Sequence, residues 1–226
     1  MPKYSTGLLN EFAPHIAELT KCNLPPMEEQ KNISRSLINS FILNSAFFAK
    51  YPEPMHQYGI SFLRKTEAAF QEYYYALELL SNYVNTHILY NDKPNEKLSQ
   101  YFEILHRFEV LISQIYQAYM VFEKFLNLEK HGRFWKKGDG SSLEKISVLY
   151  NFSKHAEDKI KETPSLPGYH IWLTNSGVSC EQEAISFFEI SELLQELAEN
   201  ASYYSNVKKV IDDVQSGAYD ERINER

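Results

Sequence analysis

The chain has 226 residues, a formal net charge of −7 and ordinary apolar content. This length can bury a sizeable core, and 16 Tyr with 14 Phe exclude a chain disordered throughout. The acidic balance argues against broad non-specific nucleic-acid binding and leaves room for a local basic site.

Two cysteines, Cys22 and Cys180, stand far apart in sequence. They define neither a disulfide framework nor a cysteine zinc site, which fits a reducing compartment. The opening MPKYSTGLLNEFAPH lacks the long apolar region and cleavage-like site of a signal peptide. No apolar run approaches membrane-spanning length. The expectation is a cytoplasmic protein with no membrane association.

Leu8, Leu9, Phe12, Ile16 and Leu19 predict a short amphipathic helix closed by the Asn23–Pro26 turn. Ile33, Leu37, Phe41, Asn44 and Phe48 predict a second, ending near Tyr51-Pro52-Glu53-Pro54 because two prolines cannot continue it. A long third helix carries Ile60, Leu63, Phe70, Tyr74, Leu77, Leu80 (or Ser81), Val84 and Ile88 on one face, before the turn Asn91–Asn95. In the fourth, Tyr101, Leu105, Phe108, Ile112, Ile115, Tyr119, Phe122 and Leu126 form a heptad seam. A short turn between two long helices makes them antiparallel partners.

Glu129–Gly140 interrupts this pattern, and Ser141 with Glu144 reads as a capping box. The helix it opens runs through Leu143, Ile146, Leu149, Tyr150 and Ser153 to about Lys161, and Thr163–Gly168 ends it. His170–Thr174 and Val178–Cys180 predict a hairpin around Asn175-Ser176-Gly177. A second capping box, Ser186 with Glu189, opens a last helix from Phe187 through Leu197 and Tyr204 to Ile211. The expected fold is all-α: one domain over residues 1–226, an up-and-down bundle of about four long helices. Residues 1–27 add an N-terminal element, a small β-hairpin precedes the last helix, and 214–226 form a frayed tail.

Candidate chemistry is sparse. Glu103-Ile-Leu-His106 has the letters of a bundle metal motif, but its helical phase puts both side chains outside the core where such metals sit. Glu53-Pro-Met-His56 lies across a proline-rich turn. No nucleophile elbow or P-loop occurs. No metal and no cofactor are expected. The loop Lys130–Lys137 interleaves Lys130, Arg133, Lys136 and Lys137 with Phe134 and Trp135. Such a mixture can contact phosphates and stack on unpaired bases, or it is a solvated loop whose aromatics fold back on the bundle. Tyr73-Tyr74-Tyr75 points three ways on a helix, so one ring faces the core and another faces water or a partner.

The segment LYNFSKHAEDKI, residues 149–160, gathers Asn151, Lys154, His155 and Asp158 within about a 100° sector of a helix. Leu149, Ser153, Ala156 and Ile160 lie nearly opposite, so the polar group points off the core. It reads as a solvated face with a Lys154–Asp158 pair, or as a patch for a ligand, an RNA or a second subunit.

A bundle whose late helix carries R-(N/D/H)-x-x-x-H resembles the HEPN superfamily, helical bundles of bacterial toxin–antitoxin, abortive-infection and CRISPR-associated systems. Many of these cleave RNA without metal, commonly as dimers that bring two motif helices together. The resemblance implies that His155 is the motif histidine and Asn151 its polar position, while Tyr150 replaces the motif arginine. Metal-free cleavage needs a base for the 2′-hydroxyl proton and a cation beside the phosphate. Histidine suits the first role and arginine the second, whereas tyrosine is neutral. Lys154 offers only a point charge.

The expectation is therefore a HEPN-like protein that works mainly by association, as a homodimer through the helix carrying Asn151 and His155 or with another protein, in a defence or toxin–antitoxin setting. One alternative is a metal-free endoribonuclease with His155 as base, Asn151 positioning and Lys154 stabilising charge. Tyr150, Asp158 and the Lys130, Arg133, Trp135, Lys136 and Lys137 loop are then its binding residues. The other is a generic helical scaffold.

Overall fold

In the computed structural model, the described residues are 19–21, 23–27, 37, 54–87, 94–126, 134–155 and 171–216. The expected helices over Leu8–Leu19 and Ile33–Phe48 fall almost wholly outside them. Leu19 and Leu37 are described, and both are buried.

The chain is mostly helical with a small antiparallel sheet. The described elements run α1 (Met55–His87), α2 (Pro94–Phe125), α3 (Ser142–Lys154), β1 (Ile171–Leu173), β2 (Gly177–Cys180), β3 (Ala184–Ser186), α4 (Phe187–Ser205) and α5 (Val207–Ser216). α1 starts directly after Pro54, whose carbonyl accepts the Tyr58 N–H at 3.1 Å. α2 starts at Pro94 itself, where a fixed φ and a missing N–H cost a helix nothing.

Paired contacts give the directions of the long helices. Phe62 stacks on Phe122 with centroids 4.3 Å apart, Glu72 pairs with Arg107 at 3.2 Å, and Tyr83 meets Tyr101 at 6.5 Å. Advancing along α1 retreats along α2, so the two are antiparallel. Tyr116 against Tyr150 and Glu109 against Ser153 make α3 antiparallel to α2. Phe108 against Phe187 and Phe122 against Tyr204 set α4 parallel to α2. The result is an up-and-down arrangement whose apolar residues form one core cluster reaching α1 to α5 and the sheet. No described helix is long and apolar enough to cross a membrane.

The tyrosine triplet divides as helical geometry requires. Tyr73 is buried, Tyr74 half-buried and Tyr75 exposed. The hydroxyls of Tyr73 and Tyr74 donate to the carbonyls of Pro25 and Met27, so they anchor the N-terminal turn. Tyr75 carries the Arg107 guanidinium 5.2 Å above its ring centroid.

The hairpin is present, and β3 extends it to a three-stranded meander in the order β1-β2-β3. Register pairs Ile171 with Cys180, Leu173 with Val178, and Val178 with Ile185. These five side chains are buried on one face. Gly177 permits the tight β2–β3 approach, because a Cβ there would lie 2.0 Å from the Ile185 carbonyl oxygen. The strand eluded the sequence pattern because three residues show almost no alternation, and its last, Ser186, also caps α4.

Three helix boundaries depart from expectation. α3 closes at Lys154, short of Lys161, with His155 as C-cap donating its N–H to the Asn151 carbonyl at 3.0 Å. The expected single last helix is broken at Asn206, whose φ/ψ of −91°/75° leaves the helical region. The Asn206 side chain accepts the Lys209 N–H at 3.2 Å and so caps α5, a competition with the helical ladder that asparagine favours. α5 then continues to Ser216. At the start of α3, Ser141 Oγ accepts the Glu144 N–H at 3.2 Å, but the reciprocal bond of a capping box is redirected. Glu144 reaches the N–H of Gly140 at 2.8 Å and that of Gly138, while Asp139 takes the Ser141 N–H at 2.9 Å. This loop fold needs positive φ at Gly138 (85°) and Gly140 (70°). The box at Ser186 and Glu189 is complete in both directions.

Candidate functional site

The C-terminal end of α3 carries the residues singled out by the motif. Asn151, Lys154 and His155 are all exposed. Their neighbours Leu149 and Phe152 are buried and hold this turn of the helix on the core. Asp158 lies outside the described residues, as do Lys130 and Arg133.

Tyr150 is committed to packing. Its half-buried ring stacks on Tyr116 of α2 with centroids 4.4 Å apart and planes 21° from parallel. The Lys154 ammonium sits 5.8 Å from the Tyr150 centroid. Tyr150 thus makes a helix–helix contact, and the nearby Lys154 cation lies over its aromatic ring.

The exposed turn adjoins a second polar group that the motif did not flag. Glu109 of α2 accepts from Ser153 Oγ at 3.4 Å, and His106 Nδ1 lies 3.9 Å from its other carboxylate oxygen. Burial raises the Glu109 carboxyl above its ordinary pKa, while His106 and the Ser153 hydroxyl oppose that rise. Glu109 therefore links α2 to α3 beside the patch. The available signal was the i,i+3 spacing of His106 and Glu109 on the outer face of α2. Glu103 and His106 themselves are exposed, on the side away from the core. Among the described residues, no group of three or more His, Cys, Asp or Glu is arranged to hold a metal ion.

The basic loop is used differently. Phe134 is half-buried, stacks on Phe122 at 5.4 Å and meets Tyr119 edge-on at 5.7 Å. Its N–H donates to the buried Glu123 carboxylate at 3.0 Å. Trp135 is also half-buried against the core. Both rings pack against the bundle, while Lys136 and Lys137 remain exposed. Cys180 is buried in β2, and that burial pushes its thiol pKa up, away from nucleophilic character.

Compared with protein-family models, curated proteins and solved structures, the chain gives no match.

Proposed function

We propose that this chain is a HEPN-like bundle acting mainly by association, pairing two copies through the face that carries Asn151, Lys154 and His155. The observation that carries this reading is the Tyr150–Tyr116 stack. Where the motif would present a guanidinium to a phosphate, this chain buries part of a tyrosine between two helices. The three polar residues are exposed at the end of α3, on a surface that a second copy can meet. The setting in bacterial defence rests on the resemblance alone.

A ribonuclease reading draws on the exposed His155 beside Lys154, a base and a cation on one helix turn. Its weakness is chemical, because a lone ammonium held over a ring is a poor substitute for a bidentate guanidinium. Two measurements separate the readings. Light scattering on wild type and an Asn151→Glu/His155→Glu variant is expected to show a dimer that the variant weakens. A wild type that stays monomeric at high concentration, or a variant that dimerises equally, overturns the association reading. Labelled RNA incubated in EDTA with wild type and His155→Ala is expected to stay intact. Cleavage that His155→Ala abolishes would establish the ribonuclease instead.

A further inference from the structure

The loop ahead of α3 carries Asp139-Gly140, the single Asp-Gly step of the chain, which has no Asn-Gly step. Such a step is prone to rearrangement, because glycine has no side chain to shield its nitrogen from the preceding carboxyl. The glycine nitrogen attacks the aspartate Cγ, a C–N bond forms, and the nitrogen's proton leaves with the carboxyl hydroxyl as water. The product is a succinimide. Water then breaks the bond between that nitrogen and the aspartate backbone carbonyl carbon. The main chain now runs through Cγ as isoaspartate, with no net change in mass.

Asp139 and Gly140 are exposed, and a Cβ at Gly140 would meet no atom within 4 Å, so neither burial nor crowding protects the step. Hydrogen bonds do. Asp139 Oδ2 accepts the Lys136 N–H at 2.6 Å and Oδ1 accepts the Ser141 N–H at 2.9 Å, so both carboxyl oxygens are engaged. Ring closure needs one of them to leave as water. The Lys136 N–H, with the Ser141 hydroxyl and N–H, also holds the Asp139 carboxyl below the usual carboxylate range, in its less reactive ionised form. The nucleophile is tied as well. The Gly140 N–H donates to Glu144 Oε2 at 2.8 Å, and the Gly138 N–H donates to Oε1. Glu144 is itself fixed in the first turn of α3, its own N–H on Ser141 Oγ at 3.2 Å. One side chain therefore bridges the two positive-φ glycines that flank Asp139.

We infer that Asp139-Gly140 is a dormant isoaspartate site, and that the Glu144 carboxylate keeps it dormant by clamping the backbone on both sides of Asp139. Rearrangement then proceeds from molecules whose loop has opened, and its rate follows the population of that open form. The product would insert a methylene into the main chain ahead of Ser141 and so displace the N-cap of α3. The inference is independent of the association face, which lies at the other end of α3.

The test is prolonged incubation at neutral pH, with isoaspartate detected by labelled methyl transfer from S-adenosylmethionine using an isoaspartyl methyltransferase. Fragmentation mass spectrometry reads the signal on the peptide that holds residues 139–140. Folded wild type is expected to accumulate isoaspartate there about tenfold more slowly than wild type unfolded in urea. Glu144→Ala, shown to be folded by circular dichroism, should approach the rate in urea. Tyr150→Arg loosens α3 at its far end and should keep the wild-type rate. If Glu144→Ala does not fold, Glu144→Gln takes its place and must likewise exceed wild type. The inference is overturned if folded wild type reacts as fast as the chain in urea, or if loss of the Glu144 carboxylate leaves the rate unchanged or lowers it. It is also overturned if Tyr150→Arg raises the rate as much as Glu144→Ala.

Discussion

Replacing Glu189 by Gln isolates one charge at the junction of α3 and α4. Glutamine can still serve the capping box with Ser186, so the change chiefly removes the charge that meets Lys145 at 2.7 Å. Partial burial works to raise the Glu189 pKa, but the Lys145 ammonium and the Ser186 N–H and hydroxyl outweigh it and bring it from 4.5 to about 2. At about 1.4 kcal/mol per pKa unit, that depression would correspond to roughly 3 kcal/mol in full. The side chain keeps 23% of its surface in water, so solvent screening reduces the contribution to about 1–2 kcal/mol.

The sign follows from linkage. A carboxyl whose folded pKa is depressed contributes stability above its unfolded pKa, and that contribution disappears as pH falls through the folded value. Wild type should therefore exceed Glu189→Gln by about 1–2 kcal/mol at neutral pH, with less than half the gap left near pH 3 and almost none at pH 2. Urea unfolding followed by circular dichroism at each pH measures this difference, and the other carboxylates cancel in the comparison. A gap that is the same at pH 3 as at pH 7 would refute the assignment of the stabilisation to this ion pair.

Gly177→Ala places a methyl 2.0 Å from the Ile185 carbonyl oxygen, where only backbone could yield. It should destabilise the chain by about 1–3 kcal/mol and lower its melting temperature by roughly 2–12 °C, and an unchanged melting curve would contradict the β2–β3 pairing. Tyr150→Arg removes the stack on Tyr116 and should cost about 0.5–1.5 kcal/mol in chemical denaturation, while Tyr150→Phe keeps it. The arginine variant should gain no EDTA-resistant RNA cleavage, because the position is turned onto α2.

Features carried by local spacing were legible in the sequence. The three/four recurrence of Leu63, Phe70 and Leu80 and the seam from Tyr101 to Phe122 defined α1 and α2, since a helix repeats its buried face within its own residues. Ser141 and Ser186 marked two helix starts because a cap is a contact between neighbours in sequence. The phase of residues 149–155 put Asn151, Lys154 and His155 off the core, and they are exposed.

Other features were not carried by apolar periodicity. β3 exists because Gly177, Val178 and Ser179 accept it as a neighbour. The apolar pattern runs on across Asn206 from Tyr204 to Val210, yet Asn206 ends one helix and its side chain caps the next. Tyr150 reads from sequence as a vacancy in a catalytic motif, whereas Tyr116, more than thirty positions earlier, makes it a packing residue. A cleft lined by Tyr119, Ser142, Glu192 and Glu196 joins residues of α2, α3 and α4. Sequence determined the helices and their polar faces, because those follow from backbone periodicity. Tertiary structure decided which side chains meet, because such contacts depend on how separate elements pack.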